Sequence, residues 1–364
     1  MASTEPEVTL TVNGVKHEGW KSLTVRSSIE EIAQSFTVEY SQRWSASGDP
    51  VAINQDDDVV IRFGDTLVLT GIVDRANESY DATSHDVSVQ GRARTGYYLV
   101  SGSAEYKSGA IKGKRLDQLA ALLCEPFGIS VSLSEPGLDV GGPADVQIQD
   151  GQSAFEILNE RARAEGVLLL TDPAGNLVLA RAATALTPGV ELRSGLNIKR
   201  GSLVRSGEDR FSKYVVKGQA PSGNDPLAAA LGGSNNLKYE VTDDDVKHKR
   251  TMIFVDHDAS MVRLKQRALW ERNNRAGKAL QLTYDVQGWL TPAGTLWQPN
   301  TLVPVTDDML GISAQLLITS VDFNRTLGEG RTARIEVTPR ETYDVLKPPK
   351  PPKRKKKNPL AAPL

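Results

Sequence analysis

The stretch GWLTPAGTLWQPNTLVPV, residues 288–305, places Trp289, Trp297, Pro292, Pro299, Pro304, Gly288 and Gly294 close together. Aromatics and turn formers at this density mark either a ligand loop or a bend in a β wall. The flanks favour the wall. Residues 281–289 and 296–305 read as strands, and LTPAGT joins them, Pro292 fixing φ and Gly294 relaxing it. Trp289 and Trp297 flank that turn, where aromatics paired across a hairpin stabilise it by burial. They read as core or interface residues. Pro299 and Pro304 lack an N–H, so their strand is expected at an edge or a bulge.

Outward from this bend the pattern stays β-rich, with further strands at 313–324 and 331–340. Residues 7–95 alternate in the same way: Val8, Leu10 and Val12, then Phe36, Val38 and Tyr40, then Val87 and Val89. Gly71 interrupts the apolar run DTLVLTGIVDR (65–75), the signature of a bulge or a barrel corner. Short strands with polar turns point to a small antiparallel barrel or sandwich.

The character changes at about residue 97. Leu116, Leu119, Ala120 and Leu123 recur at helical spacing, and Gly128 stops the run before a short strand. SAFEILNERARAEGVLLL (153–170) repeats the plan, with Ser153 and Glu156 as a capping box and Gly166 as the stop. LLLTDPAGNLVLARA (168–182) reads as a hairpin turning at Pro173–Gly175. Residues 97–184 are thus an α/β region between β-rich ones. The β pattern resumes at 211–219, a polar loop covers 220–250, a strand covers 251–256, and a helix from about 259 to 276 closes at Gly277.

The chain has 364 residues, enough for two to four domains, with a globular balance of 39% apolar and 24% charged residues. No apolar run approaches the roughly 20 residues of a membrane helix, and the N-terminus does not read as a secretion signal. Cys124, the single cysteine, excludes an internal disulfide or a cysteine zinc cluster and reads as a buried small hydrophobe. The net charge of −2 conceals an asymmetry, because seven positive charges after Asp344 leave the remainder at −9. The tail KPPKPPKRKKKNPLAAPL (347–364) cannot build a core and reads as disordered. Lys353, Arg354, Lys355, Lys356 and Lys357 form a run that attracts phosphates or an acidic partner.

Catalytic signals are sparse. Neither a dinucleotide fingerprint after a strand, nor a phosphate loop, nor a G-x-S-x-G elbow occurs. His17, His85, His248 and His257 lack metal-ligand spacing. His257, between Asp256 and Asp258, reads as a strand end before a helix cap. The DDD runs at 56–58 and 243–245 read as solvated loops, since the spacing of a calcium loop is missing. The basic residues of the 259–276 helix, Arg263, Lys265, Arg267, Arg272 and Arg275, read as a solvated face. Neither cofactor nor metal is expected.

Ordered segments across the chain resemble the baseplate hub proteins of contractile-tailed bacteriophages. They include RSSIE (26–30), TGIVDR (70–75), VQGRART (89–95), RLDQLAALLCEPFGISV (115–131) and RARAEGVLLLTDPAGNLVLARAAT (161–184). DRFSKYVVKGQA (209–220), QRALWERNNRAGKALQLTYDVQGW (266–289), GTLWQPNTLVPV (294–305) and VTPRE (337–341) complete them. The resemblance implies a β-rich α+β chain forming a homotrimeric ring. Two small antiparallel β-barrels would occupy 1–96 and, together, 185–219 and 279–345. An α/β domain would fill 97–184, a loop and helix insertion 220–278, and a disordered basic tail 346–364. The implied role is structural, not enzymatic: an adaptor in the virion between a hexameric tail tube and a trimeric spike, with other baseplate proteins around it and DNA passing through. Assembly would follow a period in the host cytoplasm, without membrane insertion. Trp289, Trp297, Pro299 and Asn300 are expected at a subunit or tube face. The competing readings are the hub of a contractile secretion or bacteriocin particle, and a tail-borne cell-wall hydrolase with 97–184 binding the wall.

Overall fold

The computed structural model describes residues 7–17, 20–41, 53–80, 85–104, 106, 109–219, 236–256, 261–326 and 330–343. The chain divides into a larger unit, Met1–Asp209 with Asn274–Asp344, and a smaller one, Arg210–Asn273 with Val345–Leu364. The fold is β-rich α+β, with mostly antiparallel sheets and four α-helices among the described residues.

The larger unit opens with β1 (Val8–Val12), β2 (Val15–His17), β3 (Trp20–Ser28) and β4 (Ser35–Ser41). Next come β5 (Asp58–Phe63), β6 (Thr66–Tyr80), β7 (His85–Ala93) and α1 (Arg94–Ser101). The middle holds β8 (Ala110–Lys114), α2 (Leu116–Cys124), β9 (Val131–Leu133), β10 (Ala144–Gln147), α3 (Ala154–Glu165), β11 (Leu168–Thr171) and β12 (Leu177–Ala180). β13 (Leu192–Arg193) and β14 (Ile198–Arg205) follow. The smaller unit contributes β15 (Lys213–Gln219), β16 (Asn236–Thr242), β17 (Thr251–Asp256) and most of α4 (Met261–Lys278). β18 (Leu280–Gln287), β19 (Leu302–Asp307), β20 (Ile312–Thr326) and β21 (Gly330–Thr338) belong to the larger unit.

One sheet of thirteen strands dominates the larger unit, in the order β14-β18-β21-β20-β3-β4-β7-β6-β5-β1-β2, with β19 on β20 and β13 on β19. Within it a five-strand module occurs twice. The first reads β3-β4-β7-β6-β5 and the second β14-β18-β21-β20-β19. β5, β6 and β7 have 6, 15 and 9 residues, and β19, β20 and β21 have 6, 15 and 9.

The registers correspond residue by residue. Lys21 is skipped between Trp20↔Tyr40 and Ser22↔Glu39, as Lys199 is between Ile198↔Val286 and Arg200↔Asp285. Phe36 faces Gly91 as Leu282 faces Val337. Asp74 is skipped between β6 and β7 where Thr319 is skipped between β20 and β21. Bulges re-aim a strand and pin its register, so two matched bulges mark one design used twice. Burial agrees: Phe36, Val38, Val87 and Val89 are inside, as are Leu282, Tyr284, Ala333 and Ile335.

The pairing corrects the expectation of two separate barrels: among the described residues neither module closes on itself. β3, the strand that would close the first module, bonds instead to β20 of the second, from Ser28↔Ser320 to Ser22↔Thr326. The two modules therefore share one apolar core. Gly71 is not a bulge, since β6 shifts register at Val68 against β5 and at Asp74 against β7; its bare Cα admits the neighbouring strand, since a Cβ there would sit 2.2 Å from the Arg92 carbonyl oxygen.

The α/β layer has its own core, in which Leu116, Leu119 and Leu123 of α2 meet Ile157 and Leu158 of α3. Ser153 Oγ accepts from Glu156 N at 3.1 Å while Glu156 Oε2 accepts from Ser153 N at 2.8 Å, the expected capping box. Gly128 and Gly166 end these segments at φ 61° and 67°, where a side chain would be strained. β11 and β12 form the expected hairpin, and β9 adds to it in parallel.

In the smaller unit β15 pairs antiparallel with β16 and parallel with β17. This corrects the grouping of 211–219 with the second barrel. Val216, Leu237 and Val241 of these strands pack with Leu264 and Ala268 of α4 in a core of the unit's own. Gly277 lies inside α4 and does not stop it; a Cβ there would meet Thr342 Oγ1 at 1.7 Å, so glycine lets the 340–343 turn approach.

Candidate functional site

Trp289 and Trp297 are 1% and 2% exposed, which corrects their assignment to a subunit face: a side chain enclosed in its own chain has no surface to offer. The expected hairpin between them is also corrected. β18 bonds to β14 and β21, β19 bonds to β20 and β13, and only the bridge Leu290↔Leu296 links the two segments. The turn itself is tight, with Thr291 N donating to Thr295 O at 2.6 Å. Trp289 stacks on Phe63 rather than Trp297, and its Nε1 donates to the carbonyls of Asn324 and Thr332 at 3.1 and 3.2 Å. Trp297 and Pro299 line a cavity of about 290 Å³ with Val25, Leu170 and Phe323.

Asn300 has an internal task that the sequence did not reveal. At φ 58° it donates from Nδ2 to Arg181 O (2.8 Å) and accepts at Oδ1 from Ala183 N (2.9 Å), tying the end of the α/β layer to the second module. Asparagine tolerates this left-handed backbone better than most residues, and that was the available signal.

The junction of the two modules is built from facing residues of β3 and β20. Leu23, Val25 and Phe323 point inward at 1%, 1% and 4% exposure. On the other face Arg26 Nη1 contacts both Asp322 oxygens at 2.9 and 3.1 Å, and its Nη2 lies 3.7 Å from Glu336. Ser320 donates to Glu336 at 2.7 Å, and Thr24 donates to Asn324 at 3.0 Å. Burial pushes the Asp322 carboxyl upward, and Arg26 opposes this. Burial also weakens the charge on Arg26, but Asp322, Glu336 and Glu31 outweigh it.

The corresponding edges at the outer ends of the modules meet no described strand. β14, the counterpart of β3, pairs with β18 alone among the described strands, apart from the bridge Ser194↔Ile198 at its first residue. β6, the counterpart of β20, bonds to β5 as far as Ile72; beyond Arg75 its paired strand is β7. Leu203 is half-buried where its counterpart Val25 is fully buried, and Val204 is 51% exposed. A strand edge that no other strand covers is a template for pairing with another chain.

Other candidates find simpler roles. Asp57 accepts from Asn13 Nδ2 and Asn54 N, each at 2.7 Å, and Asp56 accepts from the Tyr97 hydroxyl, so the first DDD run fixes a turn. The second run is not wholly solvated: Asp243 is 7% exposed and chelated by Arg210 at 2.9–3.1 Å. On α4, Arg267 pairs with Glu271 at 2.9 Å. His257 and Lys353–Lys357 lie outside the described residues. Among the described residues no group of three or more His, Cys, Asp or Glu is placed to hold a metal ion, and no helix is long and apolar enough to cross a membrane.

Comparison with known proteins places this architecture. Residues 7–93 match the Mu phage baseplate assembly protein GpP-like N-terminal family. Residues 96–181 match the second domain of the gp44-like baseplate hub proteins, and 260–346 the fourth domain of the Mu phage baseplate assembly protein GpP. Baseplate hub protein gp44 of Escherichia phage Mu is 31% identical over 344 residues, covering 92% of this chain and 88% of that protein. The 43 kDa tail protein of prophage MuSo2 from Shewanella oneidensis superposes with a TM-score of 0.81 at 33% identity, over 93% of this chain and 100% of that one. A tail protein from Neisseria meningitidis gives 0.77 at 24% identity, over 93% and 98%. The fold is that of a structural component of a phage tail. The chain belongs to the Mu-type baseplate hub proteins.

Proposed function

We propose that three copies of this chain close into a ring that adapts the sixfold tail tube to the threefold spike and leaves a central passage for DNA. The observation that carries this reading is the duplicated module. Three chains present six modules of one topology, so a threefold assembly offers a nearly sixfold face. A cyclic trimer uses head-to-tail contacts, in which each copy supplies two different surfaces. In this reading β14 and the end of β6 supply these two surfaces, with the β3·β20 junction inside the chain as the template for their fit. Transferring its register pairs Asn77 with Val204, Ser79 with Ser202 and Ala76 with Arg205 of the next copy. The charge of −9 outside the basic tail suits a passage that must not hold phosphate.

Cross-linking tests the pairing. Opposed residues of antiparallel strands lie about 4.5–5.5 Å apart at Cα, within the range that a disulfide spans. A Ser79→Cys/Ser202→Cys chain, oxidised at low concentration, should give covalent dimers and closed trimers on a non-reducing gel. Monomers alone would contradict the proposed contact.

A further inference from the structure

The junction inside the chain and the junction between copies have the same topology, so each strand faces a choice of partner. If β3 took β6 of a neighbour, or β14 took β20, chains would link without regular closure. The two junctions differ at matched positions. Inside the chain Arg26 faces Asp322 beside Glu336; the counterparts are Val204, Asn77 and Gln90.

We propose that the Arg26–Asp322–Glu336 cluster is a partner-selection code that keeps each module junction to its own strand pair. This rests on the threefold reading above. The code works through the cost of the wrong pairs. β3 against β6 would set Arg26 opposite Asn77 and diagonal to Arg75, a cation with no carboxylate opposite it and a like charge nearby. β14 against β20 would set Val204 opposite Asp322, leaving two neighbouring carboxylates without Arg26. Asp322 and Arg26 side chains are only 15% and 32% exposed, so water compensates little for a lost partner. Removing one partner from such a pair costs far more than the pair contributes, and specificity then follows from the penalty on the wrong match. The right match between copies sets Val204 against Asn77, so neither of these two positions carries a charge. Neutral against ionic is thus the distinction that two otherwise equivalent junctions need.

The test uses the full chain and native mass spectrometry. An R26V/D322N/E336Q chain is neutral at the matched positions of both junctions and should spread from one mass into several, including species larger than the parent. The converse N77D/Q90E/V204R chain makes both junctions ionic and should spread likewise, which preserves a test if the first variant does not fold. A single trimeric mass for a folded neutral variant or for the converse variant would overturn this inference alone. A parent that stays monomeric would overturn the threefold reading and this inference with it.

Discussion

The ring of Phe63 lies 4.0 Å from that of Trp289, stacked at 23°, and both rings meet Phe323 edge-on at 5.5 and 6.2 Å. Phe63 ends β5 in the first module, while Trp289 follows β18 of the second. The contact therefore fastens the modules inside one chain, in parallel with the β3·β20 hydrogen bonds. Phe63→Ala should cost about 3–5 kcal/mol in urea unfolding, the usual range for a buried ring. A double-mutant cycle with Trp289→Leu should show a coupling of about 0.5–1.5 kcal/mol, typical of an aromatic pair.

Asn300 separates two costs. Asn300→Gly keeps the left-handed backbone but loses the bonds to Arg181 and Ala183, and should lower stability by about 1–3 kcal/mol. Asn300→Ala adds the strain of φ 58° and should cost about 1 kcal/mol more. Equal thermal melts for the two variants would show that the backbone strain is relieved elsewhere.

Gly91 and Val337 occupy matched positions, yet a Cβ at 91 would sit 2.2 Å from the Ile72 carbonyl oxygen and 2.5 Å from the Phe36 ring. Phe36 fills what Leu282 leaves open in the second module. Gly91→Ala should destabilise by about 1–3 kcal/mol or more through overpacking, and Phe36→Leu in the same chain should recover part of that loss. Denaturant midpoints for the single and double variants give the answer.

Cys124 is fully buried, and burial pushes its thiol up to about 12. The folded form keeps its proton to that pH, whereas an unfolded thiol ionises near about 8.5. Its contribution to stability is therefore whole below that value and falls as pH rises toward 12. Thiol-reactive dye at pH 8 should label the chain only in denaturant; rapid labelling of the native protein would contradict its burial.

Much of the α/β layer was legible in the residues. Leu116, Leu119 and Leu123 recur at helical spacing, and Ser153 with Glu156 forms a capping box made of local contacts. The β architecture was less legible because its partners are remote: Ser22 pairs with Thr326 across the chain. The duplication is carried by strand lengths, bulges and burial, while matched residues such as Val38 and Tyr284 share only apolarity. For the same reason the two tryptophans read as a pair, although Trp289 finds its ring partner at Phe63. Gly277 reads as a helix stop when only the chain is seen, since Thr342, which requires it, is remote. The edges proposed to join copies left no residue signature, because they are marked only by the lack of a neighbouring strand among the described residues.

Paired modules in three copies are proposed to make a nearly sixfold ring. Native mass spectrometry of the full chain, with electron-microscope class averages of the same sample, tests it most directly. The expected result is a mass three times the 39.5 kDa of one chain and a ring with a central hole and six similar lobes. A one-chain mass at every concentration, or particles without a hole, would contradict it.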